Sequence, residues 1–579
     1  MFEIKETFYL NGSPIKIVSG ALHYFRIVPE YWEDRLSKLK AMGCNTVETY
    51  VPWNMHEPKE GQYNFEDMYD IKKYIETAQS LGLYVIVRPA PYICAEWEFG
   101  GLPAWLLKDR NMKFRTYYQP FIEKVDRYYQ HLLKEIDDLQ ITKSGPIIMM
   151  QIENEYGSYG NDKKYLKALA DMMIKYGVDV PLVTSDGTWM DMLENGTLPE
   201  VALPTANFGS GSKEHFGKLK AFHDKESPLM VMEFWNGWFT AWGDDEYKHT
   251  AYEEQVDEID AILSVGHINF YMIHGGTNFG FTNGSNYYDE LTPDITSYDY
   301  DAPITEWGDV TEKYKAFRSV IEKHVDYNIP TIPVTVEKKA YGQLSIHSRT
   351  SLFDNLSNLA DVVSDMSTLS MEDLDQNFGY VLYQNDLGKK RKIEEFELVK
   401  ANDRAKVYIN RQHELTQYDR ELGQKVSFEL TDDENELSLL VENMGRVNYG
   451  KNMIHQQKGI VDGVLVNGAF RNGWKHFGLP LDNIDKVDYS YDYVEGEPSF
   501  SQFELVVEES KDTFIDMTGW GKGVVFINGF NLGRFWEVGP QFKLYLPGPL
   551  LKTGKNEIVI FETEGTVKDT IELTDQPPY

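Results

Sequence analysis

The sequence predicts an α/β fold, a (β/α)8 TIM barrel followed by two antiparallel β-sandwich domains of jelly-roll type. Three observations carry that reading. Up to about residue 325, short apolar strands alternate with amphipathic helices that stop at glycine, which is the unit of a parallel sheet. Beyond His324 the helical period gives way to strands of alternating polarity. No Gly-rich dinucleotide fingerprint follows any strand, which favours a closed barrel over an open doubly wound sheet.

The elements follow in order. Ile15 to Val18 is the first strand. Trp32, Leu36 and Leu39 recur at helical spacing, Gly43 ends that helix, and Thr46 to Tyr50 is the second strand. Ile71, Ile75 and Ala78 lead through Gly82 to Tyr84–Val87, and Ile147 to Ile152 makes the fourth strand. Leu166, Leu169 and Met173 lead through Gly177 to Leu182–Thr184, the fifth. Thr205 to Phe208 and Leu229 to Met232 come next, and Val256, Ile259 and Leu263 lead through Gly266 to Phe270–Ile273. Eight strands in about 300 residues suit a barrel, whose chemistry sits at the strand C-termini.

Residues 328 to 342, NIPTIPVTVEKKAYG, read as an extended, Pro-punctuated linker. Strands are then expected at Tyr380–Tyr383, Lys406–Ile409, Val426–Leu430, Leu437–Val441, Phe500–Val507 and Val524–Ile527. A faint repeat joins the two halves of this region. KVYIN ending at Asn410 is followed by NELSLLVE from Asn435, and VVFIN ending at Asn528 by NEIVIFE from Asn556. The expected division is a barrel over 1–329, a first all-β domain over 330–490 and a second over 491–579.

A chain of 579 residues exceeds one core, in keeping with three domains. Aromatic residues reach 14%, an excess that serves core packing or the stacking of sugar faces. A formal charge of −34 works against nucleic acid and against anionic membranes, and fits a neutral substrate. The opening MFEIKETFYLNGSP has no apolar core of signal-peptide length, and the cysteines number only two, Cys44 and Cys94, so a cytoplasmic protein is expected. His23, His56 and His274 fall near strand ends without metal-ligand spacing and are expected to hydrogen-bond carboxylates. No P-loop or nucleophile elbow is present, so no cofactor and no metal are expected. A homodimer is the base-rate assembly.

Acids end several barrel strands: Glu48, Glu96, Glu153, Glu155 and Glu233. Singly, each is a solvated strand end or the partner of a cation such as Arg88. Several converging in an aromatic mouth shift one another's pKa, a cost that function explains. The fourth strand's IENE and the seventh strand's MEFW face one cavity from opposite sides, the arrangement glycoside hydrolysis requires. Carboxyls roughly 5 to 5.5 Å apart would retain configuration and roughly 6.5 to 9.5 Å would invert it. Strand alternation leaves Glu153 and Glu155 unseparated, since both point to one side.

The segments ETYVPWNMHEP, RPAPYICAEWEFGGLPAWL, GPIIMMQIENEYGSYG, VMEFWNGWF and TSYDYDAPITEWGD, in that order, resemble the β-galactosidases of glycoside hydrolase family 35, in particular small unexported bacterial members. The C-terminal WGKGVVFINGFNLGRFWEVGPQFKLYLP is similar to that family's last, galactose-binding-like β domain. The resemblance implies Glu155 as acid/base and Glu233 as nucleophile of a retaining exo-β-galactosidase acting by double displacement on small oligosaccharides with terminal β-galactose. It implies galactose contacts at Tyr50, Ala95, Glu96, Asn154, Tyr271 and Tyr300. Asn154 would donate to the sugar 2-OH, and Tyr271 or Tyr300 would donate to Glu233. Trp238, Trp242 and Tyr449 would hold N-acetylglucosamine of β-1,3-linked substrates. Two other readings stand beside this one, a non-catalytic galactoside-binding protein and a glycosidase of different sugar or outcome, such as a β-glucosaminidase or transglycosylase.

Overall fold

The structure, a computed structural model, describes residues 1–89 and 91–579. Eight parallel strands close a barrel in chain order: β1 (Val18–Leu22), β2 (Thr46–Tyr50), β3 (Tyr84–Arg88), β4 (Ile147–Gln151), β5 (Leu182–Gly187), β6 (Leu203–Phe208), β7 (Met230–Trp235) and β8 (His267–His274). β8 pairs with both β7 and β1, which completes the ring. Seven of the eight overlap their expected strands closely, while β1 was expected over Ile15 to Val18 and begins only at Val18. Its Ser-Gly-Ala core reads as a turn, yet Gly20 is a packing residue. A Cβ there would lie 2.1 Å from Ile273 Cγ1 on the neighbouring strand.

Outside the barrel lie α1 (Trp32–Met42), α2 (Ile71–Ser80), α3 (Gln119–Ile136), α4 (Lys163–Lys175), α5 (Ser212–Phe222), α6 (Tyr252–Val265) and α7 (Glu312–Ile321). Their starts are set by side-chain caps. Asp70, Asp162 and Thr311 accept from the backbone N–H of Lys73 at 2.9 Å, Tyr165 at 3.1 Å and Tyr314 at 3.2 Å. α1 ends where Gly43 turns left-handed at φ 113°, as its sequence position predicts. A small three-stranded sheet, Phe2–Ile4, Phe8–Leu10 and Ser13–Pro14, plugs the bottom of the barrel, with Phe2 and Phe8 packed on Ile148, Met149 and Met230. The base is therefore closed and the open end is at the strand C-termini. Among the described residues, no helix is long and apolar enough to cross a membrane.

Two antiparallel β domains follow. In one, a six-stranded and a four-stranded sheet enclose Val381, Leu398, Val407, Leu439 and Val464; the other is an eight-stranded sheet around Phe503, Val525 and Ile560. The expected span of 330–490 for the first β domain is crossed by the chain. Strand β9 (Gly342–Ser351) pairs with Ser499–Val507 and Thr570–Thr574, inside the last domain's sheet. Alternating polarity identifies a strand but carries nothing about its partner, so a strand 150 residues from its neighbour is invisible to periodicity.

The internal repeat is structural. Arg404–Ile409 pairs with Glu436–Glu442, and Lys522–Ile527 with Gly554–Glu562, both antiparallel. Asn410 and Asn528 both adopt φ 49°, and each donates its backbone N–H across the pair at 2.9 Å, to Glu436 and Glu557 respectively. Asn suits this place because it tolerates the left-handed region and its side chain closes the turn, accepting from the backbone N–H of Glu436 at 2.8 Å or Glu557 at 3.1 Å. Buried charges join the parts: Glu442 receives Lys522 at 2.5 Å and Arg534 at 2.6 Å, and Arg534 reaches Asn283 of a barrel loop at 2.9 Å.

Candidate active site

A cavity of about 300 Å³ opens at the C-terminal mouth of the barrel, within the size range of small-molecule sites. Tyr50, Ala95, Glu96, Asn154, Glu155, Glu233, Tyr271 and Tyr300 all line it, so the acids and contacts inferred from sequence share one space. A larger groove of about 930 Å³ runs over the outer surface between α3 and α4, away from every strand end. Chemistry belongs to the smaller cavity.

The IENE turn shows how one motif divides its acids. β4 ends at Gln151, and Glu153 and Glu155 both leave it in left-handed conformations, φ 54° and 46°. Glu153 turns into the protein. Arg115 donates to both of its oxygens at 2.9 Å, Tyr165 donates at 3.0 Å and the Asn154 N–H at 2.7 Å. It is fully buried and fixes the turn. Glu155 instead faces the cavity, where Asn207 at the end of β6 donates to it at 2.9 Å. Burial, and then the Glu233 charge, push the Glu155 carboxyl up to about 7, with the Asn207 hydrogen bond pulling the other way.

Glu233 on β7 collects donors. Tyr50 Oη lies 2.5 Å and Arg88 Nη2 2.7 Å from Oε1, and Trp235 Nε1 donates to Oε2 at 3.0 Å. Three donor groups therefore converge on this one carboxyl and fix its orientation. The hydroxyl expected from Tyr271 or Tyr300 is thus supplied by Tyr50. Tyr271 pairs with Tyr298 at 3.2 Å instead, because its ring stands edge-on to both Tyr50 and Tyr300. Arg88 ends the otherwise apolar β3, fully buried, and was named in the sequence only as an ion-pair partner. Its second carboxylate, Glu48, lies 3.8 Å away and is pushed up to about 7 by burial, which Arg88 opposes.

Asn154 is oriented by its neighbours. Its Oδ1 accepts from Arg88 at 2.7 Å and lies 2.8 Å from Tyr50 Oη, so the amide nitrogen must be the end left for a ligand. That nitrogen has only a long contact to Ile93 O, 3.4 Å. Ala95 and Glu96 sit in a turn of three consecutive left-handed residues, Cys94, Ala95 and Glu96, at φ 59°, 57° and 49°. Such residues cost on the order of 1 to 3 kcal/mol each and persist only when held. Arg26 holds Ala95 O at 2.5 Å, and the Gly284 N–H holds Glu96 O at 2.8 Å. Tyr298 donates to the Glu96 carboxyl, which burial pushes up to about 7 against the pull of Tyr298 and Arg26.

On the outer part of the cavity, Trp238 is 44% exposed and Tyr449 arrives from the first β domain. Trp242 does not reach the wall. It is buried against Trp536, Tyr247 and Ile295, because the chain after Trp238 turns to cover the last β domain. The three strand-end histidines do not bond the carboxylates expected of them. His23 Nδ1 faces Arg26 at 2.9 Å, His56 faces Tyr24 at 2.5 Å and the Asn64 carbonyl at 2.8 Å, and His274 faces the Thr305 carbonyl at 2.9 Å. Residues missed in the sequence are Trp189, Trp235, Asn207 and Tyr298. Asn207 and Trp235 carried a usable signal, as the polar or amphipathic ends of apolar strands.

The comparisons with known proteins agree with this geometry. Residues 7–324 match the model of glycosyl hydrolases family 35, and residues 368–481 and 498–556 match the first all-beta and the galactose-binding domains of beta-galactosidases. The chain is 40% identical to beta-galactosidase 17 of Arabidopsis thaliana, covering 97% of this chain and 87% of that protein. It is 38% identical to the human beta-galactosidase-1-like protein 2, over 98% and 90% of the two chains. It is 39% identical to a beta-galactosidase of Xanthomonas manihotis, over 93% and 90%. With a strand-end carboxylate pair in one cavity and matches to all three family models, the chain belongs to glycosyl hydrolases family 35, the β-galactosidase family.

Proposed function

We propose that this enzyme is a retaining exo-β-galactosidase that removes terminal non-reducing β-D-galactose, with β-1,3-linked Gal-GlcNAc-type oligosaccharides as its preferred substrates, and that it works in the cytoplasm. The observation that carries the reaction is the division of roles at the cavity. Glu155 holds its proton up to about 7, while Glu233 is fixed in place by Tyr50, Arg88 and Trp235. Glu233 attacks the anomeric carbon as Glu155 protonates the departing oxygen. Glu155, now a base, then takes a proton from water, which attacks the glycosyl-enzyme and releases galactose. Asn154 donates to the 2-OH, a bond that strengthens as the oxocarbenium ion forms. The linkage preference is supported by Trp238 and Tyr449 on the leaving-group side, and the compartment by the free thiols of Cys44 and Cys94. Cell fractionation checks the last point.

A 2-fluoro galactoside should trap the intermediate on Glu233, as read by peptide mapping. Labelling of another residue in active enzyme would overturn the assignment. Hydrolysis of galactose disaccharides differing only in linkage should rank the β-1,3 compound first, and a flat ranking would remove that preference.

The pH profile follows from Glu155. The acid must carry its proton for the first step, so kcat/KM should fall on the alkaline side with a midpoint near pH 7. In Glu155→Gln the residual hydrolysis of an aryl galactoside should lose that limb. An unchanged limb would assign the titration elsewhere. The stability sign is fixed as well. Glu48, Glu96 and Glu155 bind protons more tightly folded than unfolded, so their contribution is full below the ordinary Glu value and is lost as pH rises through about 7.

A further inference from the structure

Trp189 lines the catalytic cavity although no sequence motif marks it. It lies just past β5, on the side of the cavity where Glu155 stands. The link between the two is tight. The Glu155 N–H donates to Ser185 O at 3.0 Å, and the Gly157 N–H donates to Asp186 Oδ1 at 2.7 Å. Gly157 is a close-approach residue, since a Cβ there would lie 2.0 Å from Met192 O. The turn that carries the acid and the loop that carries Trp189 and Met192 are therefore one packed unit. Thr188, bonded to His215 Nδ1 at 2.5 Å, anchors the loop from behind.

Trp189 and Trp238 each meet Trp235 edge-on, ring centroids 6.1 Å from it, at 61° and 82°. Trp189 also packs edge-on to His215 while Trp238 stacks on Phe239, so the two indoles are separate stacking surfaces. Next to Trp189 in the chain, Met190 takes φ 52° and stands 86% exposed, an apolar side chain left open to solvent beside the cavity loop. A leaving group protonated by Glu155 departs toward this side. Its first sugar has Trp238 and Tyr449 available, and the next has Trp189.

We propose that Trp189, with Met190 next to it in the chain, forms a second leaving-group subsite that takes the apolar face of a further pyranose, so that galactose-terminated oligosaccharides of three or more sugars are better substrates than disaccharides. This rests on the reading of the enzyme as a galactosidase with Glu155 as its acid. Substrates of graded leaving group test it: β-galactosyl fluoride, a β-galactosyl disaccharide, and the trisaccharide that extends it by one sugar. The wild-type enzyme should favour the trisaccharide in kcat/KM by roughly 10-fold, the size of burying one aromatic face. Trp189→Ala should erase that advantage, bringing the trisaccharide-to-disaccharide ratio of kcat/KM down to about 1. Trp189→Phe should keep part of it. No advantage in wild type, an equal loss on all three substrates, or an equal loss on both sugars would each overturn the subsite. Turnover of the fluoride shows in the same experiment whether the galactosidase reading itself holds.

Discussion

Glu233→Gln should lower kcat on every galactoside by on the order of 10⁴- to 10⁶-fold, the range seen when a covalent nucleophile or its partner is removed. Gln keeps the shape and can still accept from Tyr50, Arg88 or Trp235, so the fold should survive and the melting temperature should move by only a few degrees. Glu155→Gln should behave differently. The loss should be about 10²- to 10⁴-fold on sugar leaving groups, which need protonation, and much smaller in the first step on an aryl group that leaves unaided. Azide supplies the discriminating readout. In Glu155→Ala a small anion can take the place of activated water and yield β-galactosyl azide. In Glu233→Ala it can take the nucleophile's place and yield the α anomer. Glu153→Gln should produce neither product, only loss of folded protein, because Arg115 would keep its charge without its bidentate partner. Exchange of these phenotypes between Glu153 and Glu155 would reverse the division of the turn described above.

That division marks the point where sequence stops informing. The barrel was legible because helix, glycine and buried strand recur with periods that backbone geometry imposes, and the strand ends were legible because acids and amides interrupt apolar runs. Glu153 and Glu155 are two apart, and a straight strand gives them one direction. What separates them is the left-handed backbone at both, held by Arg115 from a loop nearly 40 residues upstream. The donor to Glu233 went unread for the same reason. Tyr50, Tyr271 and Tyr300 all reach the cavity, and only side-chain packing decides which hydroxyl meets the carboxylate. Trp189 is the extreme case, since its role depends on Gly157 approaching Met192, two residues joined by no pattern in the chain. Local order propagates through periodicity, whereas contacts across the barrel mouth do not.

The attachment of the first β domain is the other feature with a large expected effect. Arg446 is fully buried and donates to Glu98, on the turn just after Glu96, and to Glu372 of its own domain at 2.5 Å. Its chain neighbours are tied to the barrel as well: Phe99 N–H donates to Arg446 O at 3.3 Å, and Tyr92 donates to Asn448 O at 2.7 Å. Tyr449 reaches the cavity from this segment. Arg446→Met would leave two buried carboxylates without the cation that pairs them, and such unpairing costs about 3 to 5 kcal/mol. The variant should unfold at a correspondingly lower urea concentration. Glu98 is already raised by burial in the intact protein and would rise further without Arg446. A carboxyl raised in the folded state contributes stability below its unfolded value and loses it as pH rises, so the deficit of Arg446→Met should shrink between pH 7 and 5. A deficit that stayed constant with pH would mean that lost packing of the side chain, and not the unpaired acids, accounts for it. Adding Glu98→Gln and Glu372→Gln to Arg446→Met should recover much of the stability, because amides of the same shape carry no charge to desolvate. The clamp therefore positions Tyr449 and the Glu96 turn together, and the β domain is held to the barrel by ions that cannot be removed one at a time.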